Sequence, residues 1–419
     1  MASNLLTEAH PEPDGVCGSA AGHPVLSRLI SVQPDRFAAD YWGRQPLLST
    51  AADLSTTFTD LISAADIDEL VSERGLRTPF LRVARSGTTL ADKAFTAPGG
   101  VGAGVADQVS DDKLVQLFAD GSTMVLQALH RIWPPIITLC QQLASELGHP
   151  VQANAYVTPP QSQGFSSHYD VHDVFVLQIE GEKRWQIHPP VLDAPLRDQP
   201  WSERRTAVER RARETPSLDV VLRPGDCLYL PRGFLHAATA LGGVSTHLTI
   251  GVHAWTRFGL AEQLVQQALH TAASQPAVRQ SLALGVDFAD PGSWRDDVEV
   301  VRSALISALQ QADVDQLAAT LRRTARGTSR AAPIGPLRQL RDAGQITAET
   351  EIVLRAHLNA TLDQQGQGSV IRSRAASFDV VEDDSAAVKT LLTTGRVQAG
   401  DLGLDLARRL VLAGLAVVV

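Results

Sequence analysis

The sequence predicts an α+β fold, with a β-sandwich or jelly-roll centre set between helical regions. Seven short β runs separated by Gly-, Pro- and Asp-containing turns crowd residues 151–252. That texture belongs to an antiparallel sandwich, not to a parallel α/β sheet. Apolar residues at helical spacing precede the β region and return after Trp255.

Residues 1–22 are rich in Gly, Pro and Ala and are expected to be poorly ordered. Helical periodicity runs over residues 26–70, with Pro34-Asp35-Arg36-Phe37 as a helix start. Tyr41-Trp42-Gly43-Arg44-Gln45-Pro46-Leu47-Leu48 reads as a helix end turning into an extended piece. Residues 96–104 form a Gly- and Ala-rich loop, and residues 113–147 look helical, interrupted at Pro134-Pro135. The strands are 152–157, 174–179, 184–187, 219–222, 227–230, 235–239 and 245–252. Glu180-Gly181-Glu182 and Arg223-Pro224-Gly225-Asp226 are tight turns by composition. The charged insert 204–214 is a helix or a surface excursion.

Helices are then expected over 260–272, 278–284, 298–309 and 314–324, followed by a linker at 331–336. Helices at 388–393 and 402–412, with strand-like ends at 378–381 and 415–419, suggest a winged-helix-like unit. Its basic and acidic residues balance, so it does not read as a DNA-binding element. No internal repeat is present.

The 419 residues call for two or three domains. A hydrophobic share of 44% with 20% charged residues is that of a folded protein. No apolar run is long enough to span a bilayer, and no basic-then-apolar signal segment opens the chain. Cys17, Cys140 and Cys227 lie far apart, which excludes a disulfide framework or zinc knuckle and suits a reducing cytoplasm. A net charge of −9 argues against broad binding to nucleic acid.

His168-Tyr169-Asp170 carries the chemistry. Residues two apart on a strand share a face, so an imidazole and a carboxylate would stand together. His236 follows the Pro-Gly-Asp turn and a short strand. It would complete a face of two histidines and one carboxylate, the donor set of non-haem Fe(II) oxygenases. His172 shares that face if the strand stays regular, and competes for the role. His247 and His253 lie on the last β run, where a buried hydrogen-bonded imidazole is the commoner arrangement. His188 ends a strand before Pro189-Pro190.

The surrounding text is more specific. Asn154-Ala155-Tyr156-Val157-Thr158-Pro159-Pro160-Gln161-Ser162-Gln163-Gly164-Phe165 runs into the His-x-Asp motif, and Asp173-Val174-Phe175-Val176-Leu177-Gln178-Ile179-Glu180-Gly181-Glu182-Lys183-Arg184-Trp185 follows. Together they resemble, closely and in order, the JmjC-type ribosomal oxygenases, a cupin-like branch of the Fe(II)/2-oxoglutarate dioxygenases. The segments from Arg223 to His236 and from Ser245 to Ile250 are similar to that family too, as is Tyr41-Trp42 with Pro46-Leu47-Leu48. The resemblance covers about residues 37–255.

It implies a double-stranded β-helix (jelly-roll, cupin/JmjC) core with N-terminal helices as a catalytic domain over residues 1–256. A helical dimerisation segment over 257–330 and a winged-helix-like domain over 331–419 would follow. By the same resemblance His168, Asp170 and His236 would bind Fe(II). Lys183, fifteen residues after His168, would anchor the distal carboxylate of 2-oxoglutarate as a compact cation. Asn154 and Tyr156, which share a strand face, would stand beside that co-substrate. Several relatives place a serine where this chain has Gly251, and Thr249 on the same face is the candidate replacement.

The implied reaction consumes dioxygen and 2-oxoglutarate and hydroxylates an arginine or histidine side chain of a protein, typically ribosomal. The implied assembly is a homodimer. A hydroxylase of a free amino acid or natural-product peptide is the nearest alternative. A non-oxidative metallo-cupin is disfavoured by Lys183, and an inert binding module by the intact metal ligands.

Overall fold

Proline opens the first helices of the computed structural model, at Pro24–Leu29 (α1) and Pro34–Arg36, where a missing N–H costs nothing. The structure describes residues 23–419 apart from Ser86, Gly164 and Gln367. The stretch 1–22, expected to be poorly ordered, lies outside the described residues. Residues 26–70 are not one helical run: a π-turn over Phe37–Tyr41 leads to a strand, β1 (Leu47–Ser49), and a capped helix follows at Ala64–Ser72.

Two further strands were not anticipated, one in a stretch given no assignment and one in the expected helical run 113–147. β2 (Leu81–Arg85) and β3 (Thr123–Leu126) pair with each other, and β3 continues onto β4 (Val151–Thr158). The short run Thr123-Met124-Val125-Leu126 fits a buried strand and a buried helix equally well, so spacing alone could not separate them. The expected break at Pro134 is present: a short helix, Leu129–Ile132, ends just before it, and Pro134 begins the next, α2 (Pro134–Leu147). Within the expected loop, Thr96–Ala97 pairs with Gln108–Val109.

Two long strands organise the centre. β5 (Asp173–His188) and β8 (Leu235–Val252) pair antiparallel over most of their length. β6 (Leu218–Leu222) lies against the second half of β5, and β7 (Cys227–Leu230) against the first. The sheet runs β1-β7-β5-β8-β4-β3-β2, all antiparallel. This is a jelly-roll of the cupin/JmjC kind, packed by N-terminal helices. Residues 180–182 are therefore not a turn: Gly181, at φ +65°, bends a continuous strand. The runs 235–239 and 245–252 likewise belong to one strand, with an irregularity between Leu241 and Thr246.

After the jelly-roll come α3 (Arg257–Ala272), α4 (Arg295–Gln310) and α5 (Val314–Thr328). Residues 278–284 form turns, not the expected helix. That run lies between Pro276 and Gly285 and is too short to sustain a helix alone. The C-terminal residues have their own apolar core, including Ile352, Leu391, Leu406 and Leu410. Two three-stranded sheets stand beside its helices, four of whose strands have no counterpart in the sequence reading: Glu351–Leu354, Thr361–Gln365, Gly368–Arg372 and Arg396–Gln398. No helix of the described residues is long and apolar enough to cross a membrane.

Candidate active site

His168 and Asp170 lie in the loop between β4 and β5, not on a regular strand. A single bridge replaces strand pairing. The His168 amide donates to the His236 carbonyl at 3.2 Å, and the His236 amide donates to the His168 carbonyl at 2.8 Å. The Gly233 amide also donates to the Asp170 carbonyl at 3.0 Å. Gly233 has φ +91°, and a Cβ there would meet the Leu192 carbonyl at 2.8 Å, so the turn before β8 needs glycine. Buried Tyr169 donates its hydroxyl to the Gln199 carbonyl at 2.9 Å and ties the loop to the insert, whose helix is Arg205–Arg211.

The bridge brings the three side chains together. Ligand atoms of His168, Asp170 and His236 lie within 4.8 Å of one another. Nδ1 of His168 contacts the Ser166 carbonyl at 2.8 Å, and Nδ1 of His236 contacts the Phe234 carbonyl at 3.1 Å. Each carbonyl fixes the proton on Nδ1 and leaves Nε2 as the free lone pair. Burial lowers His236 to about 4, with the His168 charge adding to the effect, so its imidazole is neutral at pH 7. Burial alone would raise the Asp170 carboxyl, but His172, His236, His168 and Arg82 outweigh it and hold the group below its usual range. A neutral His236 imidazole, an ionised Asp170 carboxylate and the Nε2 of His168 form the donor set that a divalent iron takes.

The competing histidines fall elsewhere. His172 stacks edge-on against His253, with ring centroids 5.1 Å apart, and is not part of the cluster. The regular strand that would have aligned it with His168 begins only at Asp173. His188 sits at the end of β5, with Nε2 3.1 Å from the Glu214 carbonyl.

A cavity of about 250 Å³ opens from the cluster. Lys183 lines it, buried, with Nζ donating to the Thr158 hydroxyl at 2.9 Å and lying 3.4 Å from His247 Nδ1. Burial pushes the Lys183 ammonium down to about 7. His247 is held well below its usual value by burial and by the Lys183 and His236 charges, and it stacks on Tyr156 at 4.9 Å. Tyr156 and Thr249 also line the cavity. Asn154 does not: its Oδ1 accepts from the Ala128 amide at 3.0 Å, steadying a residue at φ +57°. Gly251 does not line it either, and a Cβ there would meet His172 at 3.0 Å and Gln152 at 3.1 Å.

Several lining residues were given no site role by the sequence reading: Thr158, Arg82, Phe165, Trp185 and Trp201. Thr158 follows Tyr156 by two on β4, so alternation could have found it. Arg82 could not be found, because β2 was not recognised. Its guanidinium lies over the Phe165 ring, 5.1 Å from the centroid.

Residues 129–260 match the JmjC domain family. The chain is similar to Ribosomal oxygenase 1 of Gallus gallus, 30% identical over 281 residues, which is 66% of this chain and 45% of that protein. A second relative is the Drosophila willistoni bifunctional lysine-specific demethylase and histidyl-hydroxylase NO66, 29% identical over 63% of this chain and 32% of the relative. The chain thus spans less than half the length of these two curated relatives. Among solved structures, the Escherichia coli ribosomal oxygenase YcfD superposes with a TM-score of 0.56 at 16% identity, over 93% of this chain and 99% of that one. That likeness shows the fold. The matched JmjC residues hold all of β4 to β8, and with them His168, Asp170, Lys183 and His236.

Proposed function

We propose that the chain is an Fe(II)- and 2-oxoglutarate-dependent dioxygenase that hydroxylates a side chain of a protein substrate, a ribosomal protein by analogy with its relatives. The observation that carries this reading is the pairing, in one cavity, of the His168–Asp170–His236 face with a buried lysine. A YcfD structure is described in complex with cobalt and 2-oxoglutarate, which supports the same pairing of metal and co-substrate in that neighbour. A non-oxidative cupin has no need of a buried cation beside its metal.

When bound, the metal and 2-oxoglutarate supply dioxygen activation, with succinate and carbon dioxide as the other products. His168, Asp170 and His236 would hold the metal and leave its remaining positions open. Lys183 and the Thr158 hydroxyl would receive the distal carboxylate, with Tyr156 and Thr249 flanking it. Phe165, Trp185 and Trp201 wall the cavity and keep water from the reacting carbon. Residues 1–256 would form the catalytic unit, 257–330 a self-association segment and 331–419 a winged-helix-like unit that enlarges the gripping surface. Cys140 and Cys227 are both free and buried, in keeping with work in a reducing cytoplasm.

Between the two side chains, histidine fits better than arginine. The only carboxylate lining the cavity among the described residues is the metal ligand Asp170, while Arg82 adds a fixed positive charge. A guanidinium would enter without a counter-charge, whereas a neutral imidazole needs none. The test is to incubate the full chain with Fe(II), ascorbate, 2-oxoglutarate and ribosomal-protein peptides. A histidine peptide should gain the mass of one oxygen, matched by succinate release and lost in His236→Ala. Turnover confined to arginine peptides would reverse the preference. Turnover confined to free amino acids or secondary-metabolite peptides would end the protein-hydroxylase reading.

A further inference from the structure

A second cavity, of about 340 Å³, lies where α2 meets the C-terminal unit. Arg131 enters it from the short helix Leu129–Ile132 before α2, Arg330 from just beyond α5, and Arg374 from the turn after Gly368–Arg372. An adjoining cavity shares Arg131 and Arg330 and adds Arg355. No carboxylate lines either cavity among the described residues. None of the four guanidiniums forms an ion pair among those residues. In a chain with 46 acidic residues against 37 basic ones, this is an uncompensated concentration of positive charge.

Two of the guanidiniums are oriented without being neutralised. Arg355 donates to the carbonyls of Ala332 at 2.7 Å and Gly414 at 3.1 Å, and Arg374 donates to the His357 carbonyl at 2.9 Å. Nε of Arg374 is buried with no hydrogen-bond partner. Burial together with the neighbouring Arg330 charge lowers both Arg131 and Arg355. Like charges gathered at a partly desolvated junction destabilise it unless an anion enters.

We propose that this junction binds a small phosphate-bearing anion, free or as the phosphate group of a nucleotide. Several planar guanidiniums converging from separate elements suit the geometry of phosphate oxygens. The volume is that of a small-molecule site, not of a polymer groove. The anion would strengthen a contact now made by Gln141 with the Arg330 carbonyl at 3.1 Å and by Ser145 with His357 at 3.3 Å. It would also sit next to the catalytic sheet: His130, in the same wall, accepts from the Ala153 amide of β4 at 3.1 Å, and Tyr156 and Thr158 of that strand line the active cavity.

Calorimetric titration of the full chain with sodium tripolyphosphate tests this. Saturable binding of one anion per chain is expected. Arg131→Ala and Arg330→Ala should each weaken it roughly tenfold or more, the loss of one charge-assisted contact. Arg330 is exposed, so its replacement does not endanger folding, and the exposed Arg279→Ala serves as the control that changes nothing. A parallel titration with a nucleoside triphosphate separates the two sources. Trp255, which lines the cavity and is 42% exposed, can stack on a base, so Trp255→Ala should weaken the nucleotide alone if a nucleotide is the natural ligand. Equal effects on both ligands would point to the free anion. No binding at millimolar tripolyphosphate, binding indifferent to Arg131 and Arg330, or displacement by a single-stranded RNA that binds far more tightly would each overturn the proposal.

Discussion

Lys183 is 3% exposed, and its neighbours are a hydroxyl and an imidazole that is itself uncharged. Its ammonium, brought down to about 7 by burial, regains its full charge only when a carboxylate arrives opposite. Binding of 2-oxoglutarate above pH 7 should therefore take up a proton. Calorimetry at pH 8 in buffers of different ionisation enthalpy should show an uptake approaching one proton per site. Affinity should fall as pH rises further, by up to about tenfold per pH unit. In the unliganded protein the folded value lies below the unfolded 10.5, so the unfolded chain takes the proton first. Stability should accordingly rise as pH climbs from about 7 toward 10.5. Lys183→Met should abolish the proton uptake and weaken 2-oxoglutarate roughly ten- to a hundredfold or more, while the metal stays bound. Undiminished uptake in that variant would assign the titration to another group. The candidate metal ligands and this lysine could be named from the sequence because each sits in a recognisable motif. Arg82 could not, because long-range pairing brings it to the cavity, whereas alternation from Tyr156 could have reached Thr158.

At the scale of the element, β5 and β8 matter most, and composition misrepresented both. A glycine between two glutamates reads as a hairpin turn, yet Gly181 only bends β5 so that β6 and β7 can each pair with half of it. A Cβ at Gly181 would stand 2.1 Å from the Val244 carbonyl oxygen. Gly242, on β8, also has a positive φ, of +71°, but nothing lies within 4 Å of its Cβ position. The pair separates conformational strain from collision. Gly242→Ala should cost about 1–3 kcal/mol, the usual penalty of a left-handed backbone. Gly181→Ala should cost clearly more, and because β8 carries His236 at its other end it should weaken metal binding too. Urea unfolding with a metal titration measures both, and equal losses at the two positions would contradict this account of the bend. Strand alternation was readable in the turn-bounded runs of residues 151–252. Continuity through a bend was not, since it is decided by partners far off in sequence.

At the scale of the whole molecule, apolar packing is uneven. The jelly-roll and its N-terminal helices share large buried side chains such as Phe37, Phe58 and Phe175, and the C-terminal unit has its own core. The helices between them bury mostly alanine: Ala268 and Ala272 on α3, Ala304 and Ala308 on α4. Small residues let these two helices approach closely, and the large apolar side chains are left outside. Phe258, Val265, Leu269, Phe288, Val301 and Ile306 are each more than 40% exposed. Leu282, Phe288, Trp294 and Val301 line one surface hollow together. A contiguous apolar surface of this kind marks an interaction site, and a second copy of the chain is the partner that satisfies it without a further component. The helical spacing of residues 298–309 anticipated the stripe, although sequence alone could not say which way it faces. Sedimentation of the full chain at tens of micromolar should give a dimer. Phe288→Asp combined with Val301→Asp should release monomers whose far-ultraviolet circular dichroism and metal binding are unchanged, because neither side chain belongs to the jelly-roll core. A strict monomer in the unmodified chain would make these helices a cap on a single copy, and a dimer that survives both substitutions would place the interface elsewhere.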